Sequence, residues 1–91
     1  MRKDQTLDAY LLCLEAKGFK FSDDMIAFIY FGKKYTDASD CLVKAAVEIT
    51  LKAQKQFDGS FFLSLLERLK EQKTDSRIEA MQFAESQGLL K

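Results

Sequence analysis

The sequence predicts an all-α fold, a compact bundle of four to five helices in which residues 1–91 form a single helical domain. Three observations carry this expectation. The chain has no proline and only four glycines, so little interrupts helical stretches between them. Its apolar residues, 47% of the total, recur mainly at helical spacing rather than in strand-like alternation. Clusters of Ser, Thr and Asp stand ahead of the apolar runs, where helix N-caps belong.

The glycines at 18, 32, 59 and 88 are expected where helices stop, and Gly18 suits the left-handed cap position. The first helix is predicted from about Thr6 to Lys17, with Leu7, Tyr10, Leu11 and Leu14 on one face. Phe19-Lys20-Phe21 reads as a short extended link, with Ser22 ready to cap the next helix and Asp23-Asp24 favouring its positive end. Met25 to Phe31 is apolar all round, and periodicity alone does not separate helix from buried strand there. The Ser-Asp-Asp start and the lack of a partner strand favour helix. Lys33-Lys34 and Tyr35 are expected in the loop that follows.

Thr36 to Asp40 is dense in capping residues, and Cys41 to Gln56 behind it is the strongest helical segment. Leu42, Ala46, Ile49 and Ala53 make one apolar row and Val43, Val47 and Leu51 a second. Lys44, Glu48, Lys52 and Lys55 are confined to a narrow charged arc. An apolar arc that broad predicts the central helix. Asp58-Gly59-Ser60 reads as a turn with Ser60 as N-cap for a helix from Phe61 to Lys73. Ser76-x-x-Glu79 is a capping box for a last helix that stops at Gly88. Leu89 and Leu90 are expected to fold back on the bundle or to meet a partner.

The same inventory limits the chemistry. Without histidine, Ser-His-Asp triads, Cys-His pairs and ordinary zinc sites are unavailable. No glycine-rich phosphate loop and no nucleophile elbow occur. The carboxylate pairs Asp4/Asp8, Asp37/Asp40 and Glu67/Glu71 are flanked by cations or caps, so solvated or capping roles are expected of them. No enzyme activity, metal, cofactor or small-molecule substrate is therefore expected. Cys13 and Cys41 lie in apolar helical patterns and are expected as buried free thiols of a reducing cytoplasm. The acidic residues at positions 4, 8 and 15 interrupt the apolar runs near the start, so neither a signal peptide nor a membrane span is predicted.

Three surfaces remain as candidates. Lys33, Lys34, Lys44, Lys52 and Lys55 define a basic stripe beside Tyr35, with Glu48 in its middle. Fourteen cations balance fourteen acids, which argues against a general polyanion binder. Helices at about 60–72 and 76–87 have the connection length of a helix-turn-helix that would present Arg77 and Gln82 to a DNA groove, but Glu79 there would repel phosphate. The third surface is aromatic. Eight phenylalanines are many for so small a core, and an all-round apolar helix must be central or covered by another chain. Tyr30, Phe31, Tyr35, Phe61, Leu89 and Leu90 are the candidates for such a patch. The expectation is a small soluble protein–protein interaction module of the cytoplasm, an adaptor, inhibitor or accessory regulator of the kind carried by bacteria and phages. It would act on a protein partner, as a homodimer, or both. A nucleic-acid-binding regulator is the alternative.

Overall fold

The structure is a computed structural model that describes residues 7–18, 20–74 and 76–89. Among these the chain forms five helices and no strand: α1 (Leu7–Ala16), α2 (Asp23–Thr36), α3 (Asp40–Gln54), α4 (Gly59–Glu71) and α5 (Arg77–Ser86). The all-α bundle expected from the sequence is the fold observed. Its radius of gyration of 12.1 Å matches the value of about 12 Å for a folded chain this long.

Four helix starts are fixed by side chains that accept a hydrogen bond from the third helical N–H, satisfying donors that have no partner within the helix. Ser22 accepts from Met25 N at 3.1 Å, Ser39 from Leu42 N at 3.2 Å and Ser76 from Glu79 N at 3.2 Å. For α4 the cap is Asp58, accepting from Phe61 N at 3.1 Å, rather than Ser60. A carboxylate at that place also meets the positive end of the helix, and it starts α4 two residues earlier than predicted.

The helix ends depart further from expectation. Gly18 and Gly88 do take positive φ. Gly32 and Gly59 do not; both lie inside helices, α2 and α4. The left-handed residues that close α2 and α3 are Asp37 (φ 57°) and Lys55 (φ 67°). Consequently α2 runs through Gly32 to Thr36, and Lys33, Lys34 and Tyr35 are helical rather than a loop.

Packing follows from the apolar arcs. Helix α3 is the centre, contacting each of the other four and burying eight residues from Leu42 to Leu51. Its one buried polar side chain, Thr50, is satisfied because the hydroxyl donates to the Ala46 carbonyl at 2.7 Å. Helix α5 lies on α3 through Ala80 and Ala84, both fully buried, whose small side chains permit close approach. Helix α4 contributes Phe62, Leu65, Leu66 and Leu69 and packs on α3 and α2. At the α2–α4 contact, Gly32 faces the Phe62 ring so closely that an added Cβ would stand 2.9 Å from Phe62 Cε2. This explains a glycine within a helix, where propensity alone disfavours it. Asp40 ties three elements together: it accepts from Leu7 N at 3.4 Å and pairs with Lys33 at 3.4 Å.

The cysteine expectation is corrected. Cys13 is exposed and Cys41 half-buried, both free, because Cys13 falls off the Leu7–Leu11–Leu14 stripe that α1 turns to the core. Leu89 folds back as one of the two expected outcomes: its N–H donates to the Ala84 carbonyl at 2.9 Å and its side chain packs on the core. Leu90, like Thr6 and Phe19, lies outside the described residues. No helix of the described residues is long and apolar enough to cross a membrane.

Candidate functional site

Helix α2 carries the least resolved hydrophobic surface. Only Ile29 and Gly32 are buried on it, although its sequence is apolar from Met25 to Phe31. At about 100° per residue, Gly32 and Phe28 turn toward α4, while Ile26 and Tyr30 turn toward α1. What remains outward is one arc: Asp23, Asp24, Ala27, Phe31, Lys34 and Tyr35, all of them exposed. Phe31 is 52% and Tyr35 64% exposed.

The two outward rings stack on each other, with centroids 5.6 Å apart and planes 15° from parallel. They are the outer end of a line of rings that descends into the core. Phe31 meets Phe28 at 5.9 Å, Phe28 meets Phe62 at 6.4 Å, and Phe62 meets Phe57 at 5.4 Å. Phe57 ends the line on Phe21 at 6.1 Å. Rings at these separations gain beyond simple area burial, and Phe62 in the middle is fully enclosed. The outer pair is therefore continuous with the core through Phe28, and an apolar surface faces solvent.

The remaining predicted patch residues do not join it. Tyr30 is half-buried and lines a recess of about 340 Å³ between α1 and α2 with Leu11, Leu12 and Ile26; its buried hydroxyl has no partner among the described residues. Phe61 is half-buried and packs against the core, as does Leu89. Two exposed apolar residues escaped the sequence reading, Leu12 (66%) and Ile78 (67%). Leu12 was legible, since it falls off the Leu7–Leu11–Leu14 face.

Two lysines of the basic stripe are ion-paired. Lys33 is drawn to Asp40, and Lys52 pairs with Glu48 at 3.4 Å. Glu48 also accepts hydrogen bonds from Nε and Nη2 of Arg77, at 2.9 and 2.6 Å. The Arg77 hydrogen bonds, outweighing the effect of burial, hold the Glu48 carboxyl below its ordinary range and raise the guanidinium further. Lys44 is half-buried on α3, with interactions of its own. Lys55 closes α3 and lines a separate recess with Phe21 and Phe57. Lys34 alone of these cations stands on the aromatic arc. For the nucleic-acid alternative, Gln82 is exposed but Arg77 is engaged with α3. Tyr10, next to this ion pair, has its hydroxyl pushed up to about 12, first by burial and then by the Glu48 carboxylate.

No group of three or more acidic or sulfur-bearing side chains comes together for metal binding among the described residues. Family comparison decides the lineage: a family described as of unknown function, DUF6123, matches residues 1–90. The chain belongs to that family. No curated protein matches it, and no solved structure does. In this member of DUF6123 the outer face of α2 is thus the site argued from geometry alone.

Proposed function

We propose that this chain is a protein–protein interaction module, an adaptor, inhibitor or accessory regulator, that acts through the outer face of α2. The observation that carries the reading is the stacked Phe31–Tyr35 pair, left in water by a fold that buries the other rings among the described residues more deeply. Apolar surface continuous with the core and rimmed by charges is characteristic of contact sites, and rigid aromatic rings are the side chains most often decisive in them. The two unbridged thiols, on α1 and α3, fit a reducing compartment such as the cytoplasm.

The test is affinity capture from the native host at low bait concentration, comparing wild type with Phe31→Asp. Circular dichroism establishes that the variant is folded, which is expected because Phe31 lies outside the core. Proteins retained by wild type and lost from the variant support the reading. An unchanged set of retained proteins contradicts it.

A further inference from the structure

The charges along α2 are arranged so that the helix complements itself. Its outward arc opens with Asp23 and Asp24, passes through the small Ala27 and the large Phe31, and closes with Lys34 and Tyr35. A symmetric dimer places one patch against its own copy, so the patch must match itself under a two-fold rotation. Set side by side in parallel, two such helices would put aspartate against aspartate and lysine against lysine. Set antiparallel, with the axis passing beside Ile29, they put Asp24 opposite Lys34 and Ala27 opposite Phe31. Asp23 then comes beside the Tyr35 hydroxyl.

We propose that the occupant of this face is a second copy of the chain, paired antiparallel through α2, with Asp24 against Lys34 of the partner subunit and Ala27 receiving Phe31 of the partner subunit. The proposal rests on the reading of α2 as a docking surface and names what docks there. Each contact occurs twice by symmetry. The Ala27 position leaves space for a ring, as small residues opposite large ones do in helix packing. Opposed helix dipoles add in the same direction. The fourteen residues of α2 span about 21 Å, so pairing through one helix sits at the small end of specific interfaces, below about 1,200 Å² in total. The dimer is accordingly transient, dissociated at low micromolar concentration and assembled at several hundred micromolar.

Sedimentation velocity from about 5 µM to about 1 mM, a range that brackets weak association, tests this. Wild type is expected to rise from the 10.4 kDa chain mass toward twice that value. Phe31→Asp should remain monomeric throughout. Asp24→Lys and Lys34→Glu alone should each weaken association roughly ten-fold or more, since two like-charge contacts replace two complementary ones. An equimolar mixture of the two should associate about as tightly as wild type, because both cross-pairs are again opposite in charge. That rescue also shows that neither variant is misfolded. A wild-type monomer at the highest concentration overturns the proposal, as does a dimer indifferent to these charges or a mixture without rescue. If capture by the Phe31 face survives those results, only the second copy is excluded and the docking surface stands; if capture is unaffected by Phe31→Asp as well, both fall.

Discussion

Gly32→Ala separates the packing account from helix propensity, because the two predict opposite signs. An interior helical glycine replaced by alanine gains about 0.5–1 kcal/mol from propensity. Gly32 has no positive φ to protect, so propensity alone forecasts stabilisation. The structure places the new Cβ 2.9 Å from Phe62 Cε2, with Leu63 at 3.5 Å and Leu66 at 3.6 Å. Phe62 has no room to retreat: it is fully buried and lies between the rings of Phe28 and Phe57. Forcing a methyl into such a site costs about 1–3 kcal/mol, which exceeds the propensity gain through most of that range. The net expectation is a loss of about 1 kcal/mol, or a midpoint about 4–8 °C lower for a domain of this size. Thermal unfolding followed by circular dichroism measures it directly. Phe62→Leu in the same background should make the alanine less costly, which a double-mutant cycle isolates. A rise in the midpoint for Gly32→Ala alone would refute the close α2–α4 approach.

The ion pair on α3 gives a pH-dependent prediction. Glu48→Gln should cost about 0.5–1 kcal/mol at neutral pH, appropriate to a two-bond arginine contact at a half-exposed site. Because the folded carboxyl is held below its ordinary 4.5, the stability it contributes is complete above that value. It is lost as pH falls through the folded value, so the gap between wild type and Glu48→Gln should be full above 4.5 and close on acidification below it in denaturant titrations at stepped pH. Tyr10 acts at the other end of the scale. Its hydroxyl stays protonated in the fold to about 12 against 10.0 for the ordinary group, so the unfolded chain ionises first and stability falls as pH rises from 10 toward 12. Tyr10→Phe should lack that part of the alkaline slope. Finally, native protein should show one fast thiol toward a colorimetric disulfide reagent and one slow, with Cys13→Ser removing the fast phase; two slow phases would contradict the outward position of Cys13.

How much of this was legible depended on whether the cause was local. Ser22 and Ser76 were readable as caps because their oxygens reach N–H groups only three residues away, and Ser39 was readable as one of several capping residues between Thr36 and Asp40. The central position of α3 was readable because two apolar rows on one helix require neighbours on two sides. Gly32 was misread as a stop, since a glycine tolerated for contact with a ring thirty residues away looks the same in sequence as one needed for a turn. That error also placed Lys33, Lys34 and Tyr35 in a loop. Correcting it extends α2 by more than a turn and sets Tyr35 directly over Phe31, which creates the stacked pair. The surroundings of the basic stripe were legible only in part, for a related reason. Lys44, Lys52 and Lys55 share an arc of α3, but Arg77 reaches Glu48 from another helix, a partnership no local spacing discloses. Of the predicted aromatic patch, Phe31 and Tyr35 stand together, whereas Tyr30 turns to α1 and Phe61 and Leu89 to the core.

The most direct test of the α2 face uses Phe31→Trp, which installs the one tryptophan in a chain that has none. At submicromolar concentration its emission should peak at the long wavelength of a water-exposed indole. On concentration into the hundreds of micromolar, or with a captured partner added, the peak should shift to shorter wavelength as the ring is covered. An emission maximum already short at high dilution, or one that stays long under every one of these conditions, would contradict the account.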